Sequence, residues 1–445
     1  MTNIQIEDLS DVKKKVTVEV PQDKVLEVID AQYRDLKKTV QIKGFRKGKV
    51  PLEILRSYFK QQVEADTTKK IIEETLEPGL EERKIVPVSV VKIEPETIEA
   101  GKPFKYTAEI EVPPSIQAKD YKGFELKKYR REVTEQQVEE RLQMLRERNA
   151  RLSPVAGSRG VNEGDHLVVD INAEAEGNVI PALTVTDYHM ELGRNFYLPD
   201  FDSKLEGMKP DETKKFSMDL PADFPRKNLA GKTARFEVVV KEAKERILPD
   251  LDDDFAKDLG EFENLEAVRE GIRKDLGDVA ERQTRKEIED QIVDSLLEKN
   301  DFEVPDSMVE NQVDHILNQS LQSLAAHGID PKRLPAPSEA QRAQMRPSAV
   351  RTVKGGLVLK AIAEQENVEV TDEELQAGIA ERAADIGLSA DYLKDQLESN
   401  NMLEELRASL RQDKVYKLIE EHAEITEEEP PAAAEESSDK EKEKE

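Results

Sequence analysis

The chain has 445 residues, of which 36% are charged and 5% aromatic, and its formal net charge is −28. This length predicts two to four domains, and so little aromatic content favours extended helical parts over one compact globule. The negative charge argues against a general nucleic-acid-binding protein, which needs a basic surface.

The first 113 residues combine strand and helix patterns. Valines alternate with other residues over 16–20, and apolar residues alternate over 104–112, which is typical of half-buried strands. Apolar positions at helical spacing follow Pro21 and again Pro51. The sequence predicts a mixed α/β head over 1–113, in which a loop joins two helices.

Residues 114–153 are predicted to form a linking helix that packs against the C-terminal part of the chain. Thr134 and Gln137 stand at the spacing of a capping box, in which each satisfies a backbone N–H of the other. From about 157 to 246 the sequence pattern changes, because Gly and Pro recur between short strand-like runs. This pattern predicts a compact β-rich domain inserted after the helix.

The remainder of the chain is predicted to be helical and then disordered. Apolar residues follow helical spacing through 247–426, and helices this charged favour arms and open grooves over a thick core. Residues 427–445 carry nine acidic residues and three lysines, which predicts an unstructured tail. The expected fold class is α+β multidomain, with a mixed head, an inserted β-rich domain and an elongated all-α C-terminal body.

Nothing in the chain indicates a membrane, a metal or a cofactor. There is no cysteine, no apolar run of the roughly 20 residues that a membrane helix needs, and no signal peptide at the N-terminus. The histidines lack metal-ligand spacing. We therefore expect a cytoplasmic protein without cofactors.

The most basic part of the chain is the predicted loop of the head. Residues 34–60 contain nine Lys or Arg and two acidic residues, a net charge of +7. Phe45, between polar neighbours, would be exposed beside Arg46 and Lys47, which suits a groove on a phosphate-rich surface. The alternative is a solvated turn with Phe45 packed into its own core.

This loop resembles a known signature. Residues 44–51, Gly-Phe-Arg-Lys-Gly-Lys-Val-Pro, are similar residue for residue to the ribosome-docking motif of the bacterial trigger factor family. The order of parts also matches that family along almost the whole chain. The resemblance implies docking beside the polypeptide exit tunnel, on a protein and the RNA of the large ribosomal subunit. The residues implied in docking are Gly44, Phe45, Arg46, Lys47, Gly48, Lys49 and Pro51.

The β-rich domain resembles a prolyl isomerase of the immunophilin type. The resemblance rests on Leu192-Gly193, Leu198-Pro199-Asp200-Phe201 and Phe236-Glu237-Val238. An apolar aromatic pocket would favour the twisted amide over the planar one, without metal or nucleophile. The residues implied in this pocket are Tyr188, Leu198, Phe201, Phe224 and Phe236.

The immunophilin pattern is kept only in part. Ile171 replaces an aromatic residue, Ala173 replaces a glycine, and Asp200 replaces the glycine before the aromatic residue of the pocket floor. The loop at 178–182 lacks the usual Phe-Asp pair. Aromatic residues in strands are also commonly plain core, so the sequence leaves open whether the pocket is active.

The resemblance implies a ribosome-associated, ATP-independent chaperone. Such a protein binds unfolded nascent polypeptides at the exit tunnel, keeps them open for folding or export, and isomerises X-Pro bonds. Two alternatives stay open: a dedicated prolyl isomerase with helical arms, and a ribosome-tethered holdase whose isomerase-like domain is inactive. The sequence also leaves open whether free copies form homodimers.

Overall fold

The computed structural model describes residues 2–43, 45–99, 101–155, 159–195, 197–221, 224, 229–260, 262–327 and 329–430. The chain divides into two compact units, one of Met1–Tyr129 with Arg285–Glu428 and one that contains Arg130–Thr284. No helix within the described ranges is long and apolar enough to cross a membrane.

The head is a four-stranded antiparallel sheet covered by two helices. Its elements in chain order are β1 (Asn3–Asp8), β2 (Lys13–Val20), α1 (Gln22–Thr39), α2 (Leu52–Glu81), β3 (Ser89–Pro95) and β4 (Phe104–Glu111). The sheet order is β1-β2-β4-β3. The alternating valines of β2 are fully buried against apolar residues of both helices. The predicted mixed α/β head is confirmed, with α2 starting directly after Pro51.

The predicted linking helix is shorter than its sequence range. Residues 114–134 are not helical and contain β5 (Glu125–Tyr129), whereas α3 spans Glu135–Arg148. The prediction of helix before residue 135 was wrong, because Pro113 and Pro114 disfavour helical backbone and Gly123 has a φ of +78°. It was also wrong after residue 148, because Arg151–Pro154 form a strand that pairs with the β-rich domain. The capping box of Thr134 and Gln137 begins α3 as expected.

The β-rich domain forms one antiparallel six-stranded sheet around a single core. Its strands are β6 (Arg151–Pro154), β7 (His166–Ala175), β8 (Asn178–Val179), β9 (Val185–Glu191), β10 (Thr213–Asp219) and β11 (Thr233–Ile247). The predicted strand runs lie in β7 and β11, which pair with each other at the centre of the sheet. Every second residue of β7 from Leu167 to Ala175 is buried, as expected of a sheet with one covered face.

The C-terminal part is mainly helical, as predicted, but 424–426, which were also predicted to be helical, lie in a strand. Its elements are α4 (Asp253–Asp258), α5 (Leu265–Lys299), α6 (Asp306–Ala326), α7 (Glu339–Gln365), α8 (Asp372–Asp385), α9 (Ala390–Ser399), α10 (Leu403–Glu421) and β12 (Glu424–Glu428). The beginning of α5 packs with α3 and α4 in the second unit. The end of α5 packs with α7 and α10 in the first unit, so this helix contributes to two separate cores.

The tail prediction was wrong for its first residues. Strand β12 pairs in parallel with β5, and this pairing places Glu427 opposite Lys128. The Lys127 Nζ also lies 3.0 Å from a carboxylate oxygen of Glu428. Composition could not reveal this strand, because its partner lies about three hundred residues earlier in the sequence. Residues 431–445, predicted to be disordered, lie outside the described part of the chain.

The half-buried carboxylate of Glu289 on α5 is expected to make the stability of the fold depend on pH. Burial and the nearby Asp413 raise the pKa of Glu289, although Arg285 opposes the shift. A raised folded-state pKa means that ionised Glu289 destabilises the fold, with no cost below its unfolded pKa and the full cost above its folded pKa. We expect Glu289→Gln to raise the melting temperature at neutral pH, and the gain to vanish as the pH falls below about 4.5.

Scanning calorimetry of the full chain at both pH values measures this difference. Glu281→Gln, an exposed position of the same helix, is the matched control. An equal gain for Glu289→Gln at neutral and acidic pH would contradict the assignment to ionisation.

Candidate functional sites

The basic loop of the head joins α1 to α2 through two tight turns. Phe45 donates its N–H to Ile42 O at 3.0 Å, and Lys49 donates its N–H to Arg46 O at 2.9 Å. Gly48 has a φ of +82°, a conformation that other residues rarely adopt. Val50 is fully buried in the core of the head and fixes the end of the loop. Gly44, also predicted in this site, lies outside the described residues.

The side chains of this loop are presented to solvent. Phe45 is 37% exposed and is not part of the apolar core of the head, which argues against the plain-turn alternative. Arg46, Lys47 and Lys49 are exposed, and among the described residues none of them has a carboxylate within 4 Å. The loop therefore offers unpaired cations beside an exposed aromatic ring.

The candidate isomerase pocket is built around Phe201. Its ring centroid lies 4.5 Å from that of Tyr197, 5.4 Å from Phe236 and 5.5 Å from Phe216. Such tilted and edge-on contacts stabilise aromatic clusters beyond the burial of their area. Phe201 and Phe236 are almost fully buried, so they form the deep floor of the cluster.

The five predicted pocket residues all contact one core. Leu198 is buried beside Phe201 and Phe236, whereas Tyr188 and Phe224 are half-buried at its margin. A cavity of about 280 Å³ opens here, and it is lined by Tyr188 but not by the other four residues predicted from the sequence. The cavity lining also includes Tyr197, Met190 and Leu167.

Two aromatic residues of the cluster were missed by the sequence analysis. Tyr197 directly precedes the Leu198–Phe201 stretch, and its adjacency was the available signal. Phe216 alternates with Met218 in β10, a pattern that indicates only a strand. The hydroxyl of Tyr197 donates to Leu183 O, and burial raises the pKa of Tyr197, which keeps this donor protonated.

Asp202 holds the turn that carries this cluster. One of its carboxylate oxygens accepts the N–H groups of Gly193 and Asn195, each at 2.8 Å. Gly193 has a φ of +101°, and a Cβ there would lie 2.5 Å from Glu163. Asp202 is itself buried, so the turn before Leu198 is fixed from inside the domain.

Comparison with known proteins gives consistent matches in all three parts of the chain. Residues 2–145 match the family "Bacterial trigger factor protein (TF)" and residues 264–421 match its C-terminal part. The trigger factor of Geotalea daltonii is 34% identical over 95% of this chain and 98% of its own. That of Geobacter metallireducens is 35% identical over the same shares. The chain belongs to the trigger factor family.

The domain between these matches is also assigned. Residues 157–241 match the FKBP-type peptidyl-prolyl cis-trans isomerases, the immunophilin class that the sequence indicated. A solved structure of the trigger factor chaperone shares 22% identity and a TM-score of 0.47, and the match covers 93% of this chain and 98% of that one. The predicted fold class is confirmed, and the chain is a chaperone with a ribosome-binding N-terminal domain and an FKBP-type domain.

The departures from the immunophilin pattern have limited effects on the trigger factor backbone. Asp200, which replaces a glycine, has a φ of +59°, and Asp tolerates this left-handed conformation better than most residues. Ile171 and Ala173 are fully buried in the core. Ile180, from the loop without a Phe-Asp pair, is buried there too. Ile171, Ala173 and Ile180 therefore contribute to the core of the domain, and none of them lines the cavity of about 280 Å³.

Proposed function

We propose that this trigger factor is anchored to the large ribosomal subunit by the basic loop, through Phe45, Arg46 and Lys47. The supporting observation is that Arg46 and Lys47 have no carboxylate partner within the described part of the chain and lie beside the exposed ring of Phe45, in a chain of net charge −28. Ribosomal RNA supplies phosphates for the cations, and a ribosomal protein beside the exit tunnel supplies an apolar notch for the ring. Co-sedimentation with ribosomes tests this anchor.

We assign separate functions to the domains predicted from the sequence. The head (1–113) binds the ribosome in the cytoplasm, and the helical body (247–426) holds nascent chains by weak apolar contacts without ATP. The linker (114–153) and the FKBP-type domain (157–246) lie between them in the sequence. Homodimers of free copies are part of the same proposal, since released chains would expose their binding surfaces.

The FKBP-type domain is proposed to catalyse isomerisation of X-Pro bonds. The proline ring would enter the cavity that Tyr188 and Tyr197 line. Behind Tyr197 lie the buried rings of Phe201 and Phe236, whose centroids are 4.5 Å and 6.5 Å from that of Tyr197. Rotation about an X-Pro bond has a barrier of about 20 kcal/mol, because planarity preserves amide resonance. An apolar wall lowers this barrier because the twisted amide has less charge separation and is less penalised by desolvation.

The test is the isomerisation rate of a short X-Pro peptide in the presence of the full chain. We expect acceleration by the wild type and a loss of about tenfold in kcat/KM for Tyr197→Leu, which removes a half-buried wall but not the floor. Tyr392→Leu, an exposed position in α9, is the control and should match the wild type.

The same measurement decides between the proposed enzyme and a tethered holdase. A wild-type rate equal to the uncatalysed one, with the X-Pro peptide still bound, would support a holdase with an inactive isomerase-like domain. Equal rates for the wild type and Tyr197→Leu would place the site away from this aromatic cluster.

A further inference from the structure

We propose that the free edge of β3 binds an extended polypeptide segment as an additional strand. This inference rests on the proposed function, because the ligand is an unfolded client chain. The surface, here called the valine edge, is defined as residues 86–93. Its large apolar side chains are 37–78% exposed, and they are Val86, Val88, Val90, Val91 and Ile93. Single exposed apolar residues are common, but five within one short stretch indicate a binding surface.

The backbone of the valine edge has unused hydrogen-bonding groups. β3 is the outer strand of its sheet and, within the described residues, pairs only with β4. Glu96 donates its N–H to Lys105 O at 3.0 Å, and successive residues of a strand face opposite neighbours. The N–H and C=O of Ile93 therefore face away from β4. Another strand could bond to them, as in other cases of β-strand addition.

The valine edge adjoins a large pocket of the helical body. Val88 lines a pocket of about 740 Å³ whose other walls are α6, α7 and α10. Val88 donates its N–H to Glu111 O at 2.7 Å, and the buried Glu111 carboxylate accepts the N–H of Ser307 at the start of α6 at 2.9 Å. These two hydrogen bonds hold the valine edge beside the pocket. A side chain of the added strand could therefore enter the pocket.

The charge of this pocket indicates the chemistry of the ligand. Its ionisable lining consists of His315, Lys360, Glu404, Arg407 and Arg411, so three permanent cations face one carboxylate. Arg407 is paired with Asp372 at 2.8 Å, so a carboxylate of the ligand would meet Lys360 and Arg411. In a chain of net charge −28, this local excess favours an apolar segment that carries an acidic residue.

A client segment fits the valine edge better than a second copy of the chain. The strand has a bulge between Val90 and Lys92, and the side chains of Lys92 and Glu94 form an ion pair along it. Bulges and charges on an edge oppose the pairing of two preformed sheets. An unfolded segment can bend to follow the bulge, whereas a second rigid β3 cannot.

The test measures binding of a fluorescent peptide of alternating Val and Thr with a terminal Asp, by anisotropy with the full chain. We expect Val91→Lys/Ile93→Lys to raise the Kd by about tenfold, because two apolar contacts are lost. Val279→Lys/Ile386→Lys is matched in residue type and added charge at two other exposed positions, and should bind as the wild type does.

A second pair of probes separates strand addition from plain apolar contact. N-methyl groups on alternate residues along one edge of the peptide remove its donors there, whereas the same groups along the other edge leave them. We expect binding to be lost for one methylated peptide and kept for the other. Equal binding of both peptides, or equal binding by both double variants, would overturn the proposal.

Two further outcomes separate this inference from the general holding function. If the wild type holds a reduced, unfolded protein but not the peptide, only the valine edge is refuted. If it holds neither, the proposed holding function fails as well. If sedimentation shows a wild-type dimer that Val91→Lys/Ile93→Lys dissociates without weakening peptide binding, the edge joins two copies, and the client proposal is overturned.

Discussion

Replacing Phe45, Arg46 and Lys47 together with Ala is expected to lower the affinity for ribosomes by roughly 100-fold, because three contacts of about 1 kcal/mol each are removed. The loop backbone should stay intact, since its turns use main-chain bonds and the buried Val50. Quantitative co-sedimentation with purified ribosomes measures the loss. Undiminished binding would show that the loop is not the anchor.

Single substitutions separate the electrostatic and the apolar contributions of the loop to ribosome affinity. Arg46→Ala and Lys47→Ala should each reduce the slope of log K against log salt by about one, because each cation releases counterions on binding. Phe45→Ala should weaken binding without changing the slope, because its contact is apolar. The control is Tyr392→Ala/Lys394→Ala/Lys417→Ala, which removes one aromatic ring and two cations from the helical body.

Replacing Phe201 with Ala is expected to destabilise the FKBP-type domain by about 3–5 kcal/mol. The ring is fully buried and contacts three other rings, so its removal leaves a cavity that a rigid sheet cannot fill. Phe201→Leu keeps most of the volume and should cost less, roughly 1–2 kcal/mol. Hydrogen exchange of β7 and β11, measured by mass spectrometry, reports this loss within the full chain.

Because the Phe201 ring is fully buried, substitution of Phe201 is a poor test of isomerase activity. A loss of activity in Phe201→Ala would reflect unfolding as much as a missing pocket wall. Tyr197→Leu is the better probe because Tyr197 is only half-buried and lines the cavity. Unchanged exchange in β7 and β11 after Phe201→Ala would contradict the central role of this ring.

Local patterns were read correctly from the sequence because they depend on backbone geometry over a few residues. The capping box at Thr134, the buried alternation of β2 and the start of α2 directly after Pro51 are of this kind. The eight-residue loop motif also indicated the family without reference to three-dimensional contacts. Such features follow from dihedral preferences and from side-chain spacing along one element.

Burial depth and long-range pairing were decided only by the tertiary structure. Tyr197 and Phe216 join the aromatic cluster of Phe201 because the folded domain brings β10 and the segment before Phe201 together, which no local spacing encodes. Alternating valines occur both in β2 and around β3, but the valines of β2 are buried and those around β3 are exposed. The difference arises because helices cover β2, while β3 is left at the edge of the sheet.

The charged C-terminal segment shows the same division. Its composition predicted an unstructured tail from residue 427, and residues 424–428 are exposed although they form a strand. Only the fold brought them beside Lys127 and Lys128, where backbone pairing and opposite charge make an acidic stretch into a strand. Sequence therefore determined the family of this chaperone and most of its elements, but not β5, β6 or β12. Tertiary structure determined which of its apolar and charged surfaces remain available to bind.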